Sequence, residues 1–340
     1  MLRLPPFEYL RPRTVAEAAE MLAAHDGRAM AMAGGSDLLP KMKRGQIEPA
    51  YLIGLRGLPE MAGISAEPDG SLRIGAGQTL AEVCEDPAVA ASAPALAAAA
   101  RSVSTPQLRA AGTLGGNVMV DTRCTYYDQT YEWRRSLGFC FKKDGDRCPL
   151  APGGSRCWSI SSSDTVPVLI ALAASATLTG PAGSRTVPLE DLYADDGLIP
   201  VRKAPAEILT SILIPPADGR RATYWKLRRR ESFDFPILGV AVALDLRDGV
   251  VASARIILGA VASHPVRATA AEDLLTGRPL TEEAIEEAAK VASNPARPLD
   301  NADLEHYWRK RMSRVYVRRA LRELAGSAPD QSQGSSKLRR

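Results

Sequence analysis

The sequence predicts an α+β fold in two unequal parts, and three observations carry that prediction. Capped helices are interleaved with short strands and hairpins along the whole chain. Two glycine-rich turns, around Gly34-Gly35 and Gly115-Gly116, punctuate the first part. A segment holding four of the five cysteines follows the second turn, lacks apolar periodicity and reads as an inserted loop.

In chain order, Thr14-Val-Ala-Glu17 has the capping-box spacing, and the Ala-rich run to His25 with Gly27 beyond it predicts a short helix. A strand over Arg28 to Met32 leads into Ala33-Gly34-Gly35-Ser36-Asp37-Leu38-Leu39. Adjacent glycines after a strand let backbone N–H groups point at a phosphate with no Cβ in the way, and Ser36 adds a hydroxyl. A plain tight turn uses the same residues, and the pattern is neither GxGxxG nor GxxxxGK[ST]. Tyr51 to Ile53 reads as a strand, Ile64 to Ile74 as a hairpin around Asp69-Gly70, and Thr79-Leu-Ala-Glu82 as a second capping box. Pro87 interrupts that helix, Ala88 to Ala100 resumes it, and Cys84 is expected as a buried small hydrophobe.

The second glycine run is Gln107-Leu-Arg-Ala-Ala-Gly-Thr-Leu-Gly-Gly-Asn117. Gly112, Gly115 and Gly116 permit a compact turn, and Thr113 and Asn117 can hydrogen-bond. Two such turns can clamp one pyrophosphate, or each can be a structural bend. Next come Cys124, Cys140, Cys148 and Cys157, with no CxxC pair among them. Four converging thiolates suit zinc or a cubane iron–sulfur cluster, and their number does not choose between the two. Disulfides require an oxidising compartment, whereas the N-terminus MLRLPPFEYL lacks a secretory apolar stretch; unconnected buried cysteines are the third reading.

Ser161-Ser-Ser-Asp164 precedes an apolar helix from Thr165, whose polar start can meet a ligand or cap itself. A hairpin joins Ser175–Leu178 to Arg185–Val187, and a strand over Ile208–Ile214 ends before Pro215-Pro216. The expected division is therefore residues 1–216, containing the inserted loop 122–161, then 217–325, then a disordered tail over 326–340. In the second part, strands are expected from Ala222, over 237–246 and over 251–258, with helices over 268–275, 282–291 and 304–324. Leu304, Trp308, Met312 and Val315 form the expected apolar stripe of the last helix, its arginines a solvated face. Arg228 to Asp234 reads as a charged connection. His25, His264 and His306 are scattered, and no catalytic triad or histidine metal motif emerges.

With 340 residues, 45% hydrophobic and 24% charged, the chain has an ordinary globular composition. A net charge of +4 without a basic-aromatic stripe gives no sign of nucleic-acid binding. No apolar run approaches the roughly 18 residues of a membrane span, so the expected location is cytoplasmic.

The two glycine pieces, Asp164 with its helix, and Tyr224 to Asp234 together resemble the FAD-binding subunits of the molybdenum hydroxylases, from Pro12 to about Leu324. That resemblance implies a two-subdomain, non-Rossmann FAD-binding domain followed by a smaller C-terminal α/β domain, with the flavin between them. It implies pyrophosphate and ribose contacts from Ala33, Gly34, Gly35, Ser36, Asp37, Leu38 and Leu39, and a clamp of Thr113, Gly115, Gly116 and Asn117. Asp164 would serve the adenosine side and Lys226 the flavin side. Ser36 stands where the family commonly has threonine, and Tyr193 alone stands for the usual aromatic pair.

The cysteine insertion is similar to that of the 4-hydroxybenzoyl-CoA reductase beta subunits, which implies Cys124, Cys140, Cys148 and Cys157 as ligands of a [4Fe–4S] cluster. The implied assembly is a dimer of heterotrimers with a large molybdenum-pterin subunit and a small [2Fe–2S] subunit. Electrons would run from ferredoxin through cubane and FAD to molybdenum, where a phenolic hydroxyl is removed from substrate; no residue of this chain would be catalytic toward it. Two alternatives stand beside this: the FAD subunit of a hydroxylase oxidising an aromatic or heterocyclic substrate, and a zinc-stabilised interaction protein whose glycine turns are structural.

Overall fold

The computed structural model describes residues 3–326, so the expected tail over 326–340 lies, apart from Gly326, outside the described residues. Three sheets organise them. Glu8–Leu10, Tyr51–Gly54 and Ala29–Met32 form a parallel three-stranded sheet in that order. An antiparallel five-stranded sheet runs Ile64–Ala66, Leu72–Gly75, Ile208–Ile214, Ser175–Gly180, Gly183–Pro188. The third sheet, also antiparallel, orders Val266–Arg267, Val250–Gly259, Leu238–Arg247, Arg221–Leu227.

The third sheet is buried on both faces, and strand periodicity decides what each face meets. Val240, Val242, Leu244, Ile256 and Leu258 point into a C-terminal core shared with the helices Thr269–Leu275, Glu282–Ala292 and His306–Leu324. Ala241, Ala243 and Ile257 point into the larger core of the first part. Small alanines on that face admit the helices Pro94–Ser102 and Thr165–Ala171 close to the sheet, and the two parts thereby share an apolar seam.

Local chemistry explains most element boundaries. Thr79 and Glu82 form a full capping box at Leu80–Glu85, each side chain accepting the other's backbone N–H. At Val15–Ala24 the box is half made: Thr14 accepts from the Glu17 N–H, but the Glu17 carboxylate turns to the Arg13 N–H. Cys84 is buried, as expected.

Two expectations are corrected. The helix over 88–100 is broken into Pro87–Ser92 and Pro94–Ser102, because Pro94 has no N–H to continue the first and suits the first turn of the second. The last helix begins at His306, with Glu305 as its cap, and Leu304 lies before it at φ +68°, exposed. Its fully buried face is Arg309, Ser313, Val317, Ala320, Leu321 and Leu324; of the expected stripe Met312 packs against that core, partly buried, and Trp308 and Val315 do not belong to it. Nor is every arginine solvated: Arg309 is fully buried and donates to the carbonyls of Ile237, Leu299 and Ala260. Among the described residues no helix is long and apolar enough to cross a membrane.

Candidate functional site

The two glycine turns touch. A Cβ added to Gly34 would lie 2.1 Å from the Ala111 carbonyl oxygen, and one on Gly112 would lie 3.3 Å from Ser36 Oγ. Only glycine at position 34 lets the first turn settle on the second. Together they floor a cavity of about 740 Å³, within the range of cofactor clefts. Its opposite wall comes from the second part of the chain, through Arg230, Phe233 to Ile237 and Asn301 to Asp303.

The turns offer different chemistry. In the first, Gly35 at φ +68° swings the chain toward the helix Leu38–Lys43, and none of the amides of Gly34, Gly35, Ser36 and Asp37 finds an acceptor among the described residues. A row of unspent N–H groups beside a cavity is an anion cradle. In the second, the amides are largely committed: Gly115 to Ala76, Gly116 to Thr113 Oγ1, Asn117 to Thr113. The Asn117 side-chain oxygen Oδ1 is spent too, accepting from Ser163 Oγ, Thr165 N–H and Thr165 Oγ1, which ties the turn to the helix Thr165–Ala171. Its NH₂ has no acceptor among the described residues, and Asn117 lines the cavity. A Cβ on Gly116 would meet only Thr113 Oγ1, at 3.0 Å, so that surface is bare toward the cavity.

Of the residues singled out from sequence, Ala33 to Leu38, Thr113, Gly116, Asn117 and Asp164 line the cavity, and Leu39, Gly115 and Lys226 do not. Gly115 is a packing glycine, since a Cβ would lie 2.7 Å from Ala76. Asp164 and Lys226, expected on the adenosine and flavin sides, form one buried ion pair at 2.9 Å, with Tyr224 donating to Asp164 and Lys226 also donating to the Ser102 carbonyl. Burial pushes Asp164 up and Lys226 down, each against the pull of the other. Tyr193 does not reach the cavity; it is buried and donates to the Val118 carbonyl. Three further residues line the cavity with buried polar atoms lacking a partner, Ser162 through its hydroxyl, Arg123 through Nε and Asn301 through Oδ1. The run Ser161-Ser-Ser was the signal for the first; nothing in sequence marked the other two.

The cysteine loop is held by ions as much as by packing. Arg123 pairs with Asp37 of the first glycine turn and with Asp128, and Lys41 and Lys142 share Asp121. Burial alone would raise the Asp121 carboxyl, but Lys142 and Lys41 hold it below the usual carboxylate range. All four loop cysteines are buried and free of disulfides, and they line one small cavity of about 10 Å³, which admits a water-sized sphere. Burial pushes the Cys124 thiol up to about 12 and raises Cys140, so a bound cation is needed to keep such thiols ionised. Among the described residues no three His, Cys, Asp or Glu side chains stand close enough to hold a single metal ion, so the expected ligand set is not preassembled around a point. Cys124 lines both this cavity and the larger one.

Residues 5–217 match the model for the FAD binding domain in molybdopterin dehydrogenase, and residues 222–324 that for the CO dehydrogenase flavoprotein C-terminal domain. The carbon monoxide dehydrogenase medium chain of Hydrogenophaga pseudoflava is 29% identical over 93% of this chain and 96% of its own. The nicotine 6-hydroxylase medium subunit of Paenarthrobacter nicotinovorans is 27% identical over 95% and 98%. A solved carbon monoxide dehydrogenase from Hydrogenophaga pseudoflava superposes with a TM-score of 0.78 at 30% identity, covering 94% of this chain and 97% of the other.

Proposed function

Because the chain belongs to the family of FAD-binding flavoproteins of the molybdopterin dehydrogenases, we propose that it is the electron-transfer subunit of a molybdenum-hydroxylase-type complex oxidising an aromatic or heterocyclic substrate on a partner subunit. The observation that carries this is the unspent amide row of Gly34 to Asp37 facing the bare Gly116 surface across one cavity. That arrangement fits a diphosphate: charge-accepting donors on one side, room without a Cβ on the other. Asn117 NH₂ and Ser162 Oγ supply further donors, and the loop through Phe233 to Ile237 covers the cavity and limits water. The domain division at 216/217 belongs to the same reading, with the dinucleotide spanning the seam.

The four cysteines are assigned to a [4Fe–4S] cluster. What supports the assignment is that all four cysteines, buried and free of disulfides, line one cavity, and that a one-electron carrier has a use beside a flavin, whereas the four thiols by themselves suit zinc as well. FAD and a cubane, when bound, exchange single electrons. Cys124 lines both cavities, so it is the thiol that would lie between the two groups.

The cysteine cavity also favours a second reading in the reductive direction, as in 4-hydroxybenzoyl-CoA reductases, with ferredoxin supplying electrons that pass through FAD to [2Fe–2S] and molybdenum-pterin subunits in a cytoplasmic dimer of heterotrimers. Cofactor analysis of the co-purified complex tests both. FAD, molybdenum, iron and acid-labile sulfide are expected; flavin with zinc alone would remove the cluster, and turnover with oxidised against reduced partners separates the directions.

A further inference from the structure

Among the described residues, Cys157 is the one loop cysteine whose sulfur meets a side-chain hydroxyl: Ser159 Oγ lies 3.2 Å from Cys157 Sγ. Ser159 Oγ is in turn 2.6 Å from Thr122 Oγ1, and both residues are 1% exposed. Behind them Lys142 Nζ donates to Thr122 Oγ1 at 2.6 Å, to Asp121 at 2.7 Å and to the Gly197 carbonyl at 2.6 Å. All three ammonium protons are thereby spent, which fixes Lys142 and leaves the Thr122 hydroxyl accepting.

Proton counting then orients the chain. Thr122 Oγ1 is 2.7 Å from the Gly197 oxygen, so Lys142 and Thr122 together fill that carbonyl's two lone pairs. Ser159 Oγ also lies 3.2 Å from the Gly197 oxygen, the longest of the three contacts to an oxygen whose lone pairs are already taken, so its proton goes to Thr122 Oγ1 or Cys157 Sγ. A thiolate accepts only, and a charge-assisted bond outweighs one between two hydroxyls. Glycine at 197 is required for this approach, because a Cβ there would overlap Ser159 Oγ and stand 2.9 Å from Cys157 Sγ.

We infer that Ser159, positioned by Thr122 and Lys142, donates a hydrogen bond to the Cys157 thiolate and so sets the reduction potential of the group the four cysteines hold. The inference rests on the cluster assignment above. One-electron reduction places more negative charge on the ligand sulfurs, and a fixed donor stabilises that state, raising the potential; a buried ammonium behind it acts in the same direction.

The test is a redox titration of the intact complex, followed by the electron paramagnetic resonance signal that Cys148→Ala abolishes. Ser159→Ala is expected to keep its iron and acid-labile sulfide while its midpoint shifts to more negative potential. Thr122→Val should shift it the same way by less, and Ser159→Thr should restore the wild-type value. Wild-type midpoints in Ser159→Ala and Thr122→Val at full iron content would overturn the inference and leave the cluster standing. Should Ser159→Ala shed iron, Thr122→Val decides alone. Zinc in place of iron in the wild-type chain would overturn the cluster reading itself, and the inference with it.

Discussion

Gly116 and Gly34 are both bare of Cβ for reasons that a substitution separates. At Gly116 the added carbon meets one hydroxyl and otherwise the cavity, so Gly116→Val should leave the apo fold near wild-type stability while weakening FAD binding at least about tenfold, or ~1.4 kcal/mol. At Gly34 the added carbon overlaps backbone of the second turn, so Gly34→Ala should lower the melting temperature before any ligand is considered. Fluorescence titration with FAD and thermal unfolding of both variants check the pair; equal flavin affinity in Gly116→Val would count against the cradle. Asp121 gives a pH-dependent prediction. Its folded-state carboxyl lies below the ordinary value, so its stabilising contribution is full above about pH 4 and is lost as pH falls through the lowered value. The stability gap between wild type and Asp121→Asn, from urea unfolding, should hold steady above about pH 5 and shrink below about pH 4. A gap unchanged by acid would mean the carboxylate is not what holds Lys41 and Lys142. At this scale the glycines were legible because glycine needs a backbone reason to be there, whereas Arg123 was not, since its partners Asp37 and Asp128 are chosen by tertiary approach.

Elements were legible where local chemistry decides them and opaque where packing overrides it. Thr79 and Glu82 announce their helix in sequence and form the full box in the fold; Thr79→Ala should cost about 1 kcal/mol in chemical unfolding. Pro94 was passed over because an alanine run masks a break that only a missing N–H reveals. The final helix is the more instructive miss. Apolar spacing pointed to Leu304, Trp308, Met312 and Val315, yet the helix turns a buried Arg309 inward, since three carbonyls from separate loops need a donor that no apolar residue supplies. Burial lowers the Arg309 guanidinium to about 10, still charged at neutral pH. Arg309→Ala is therefore expected to destabilise by about 3 kcal/mol, and Leu304→Ala, exposed and outside the helix, by no more than about 0.5 kcal/mol. The reverse ranking in urea unfolding would restore the apolar stripe.

Across the whole molecule the two parts are joined in two places of unlike character. The seam between Ala241, Ala243 and Ile257 and the helices of the first part is apolar and closely packed; the cavity is an open space lined by both parts. The α+β class could be read from sequence because hairpins and capped helices are local, but the seam could not, because alternation in a doubly buried strand says that both faces are covered without saying by what. A ligand that contacts both walls stabilises the assembled state over any state in which the walls have parted, by about 2.7 kcal/mol at a hundredfold excess over its dissociation constant. Saturating FAD should then slow amide hydrogen exchange in two segments distant in sequence, 33–38 and 230–237, together and in proportion to occupancy. The first segment responds because its unspent N–H groups gain acceptors, the second because the loop bearing Phe233, itself at φ +70°, is pinned over the ligand. Protection confined to 33–38 would mean that the flavin rests on the first part alone and that the loop from the second part is not its cover.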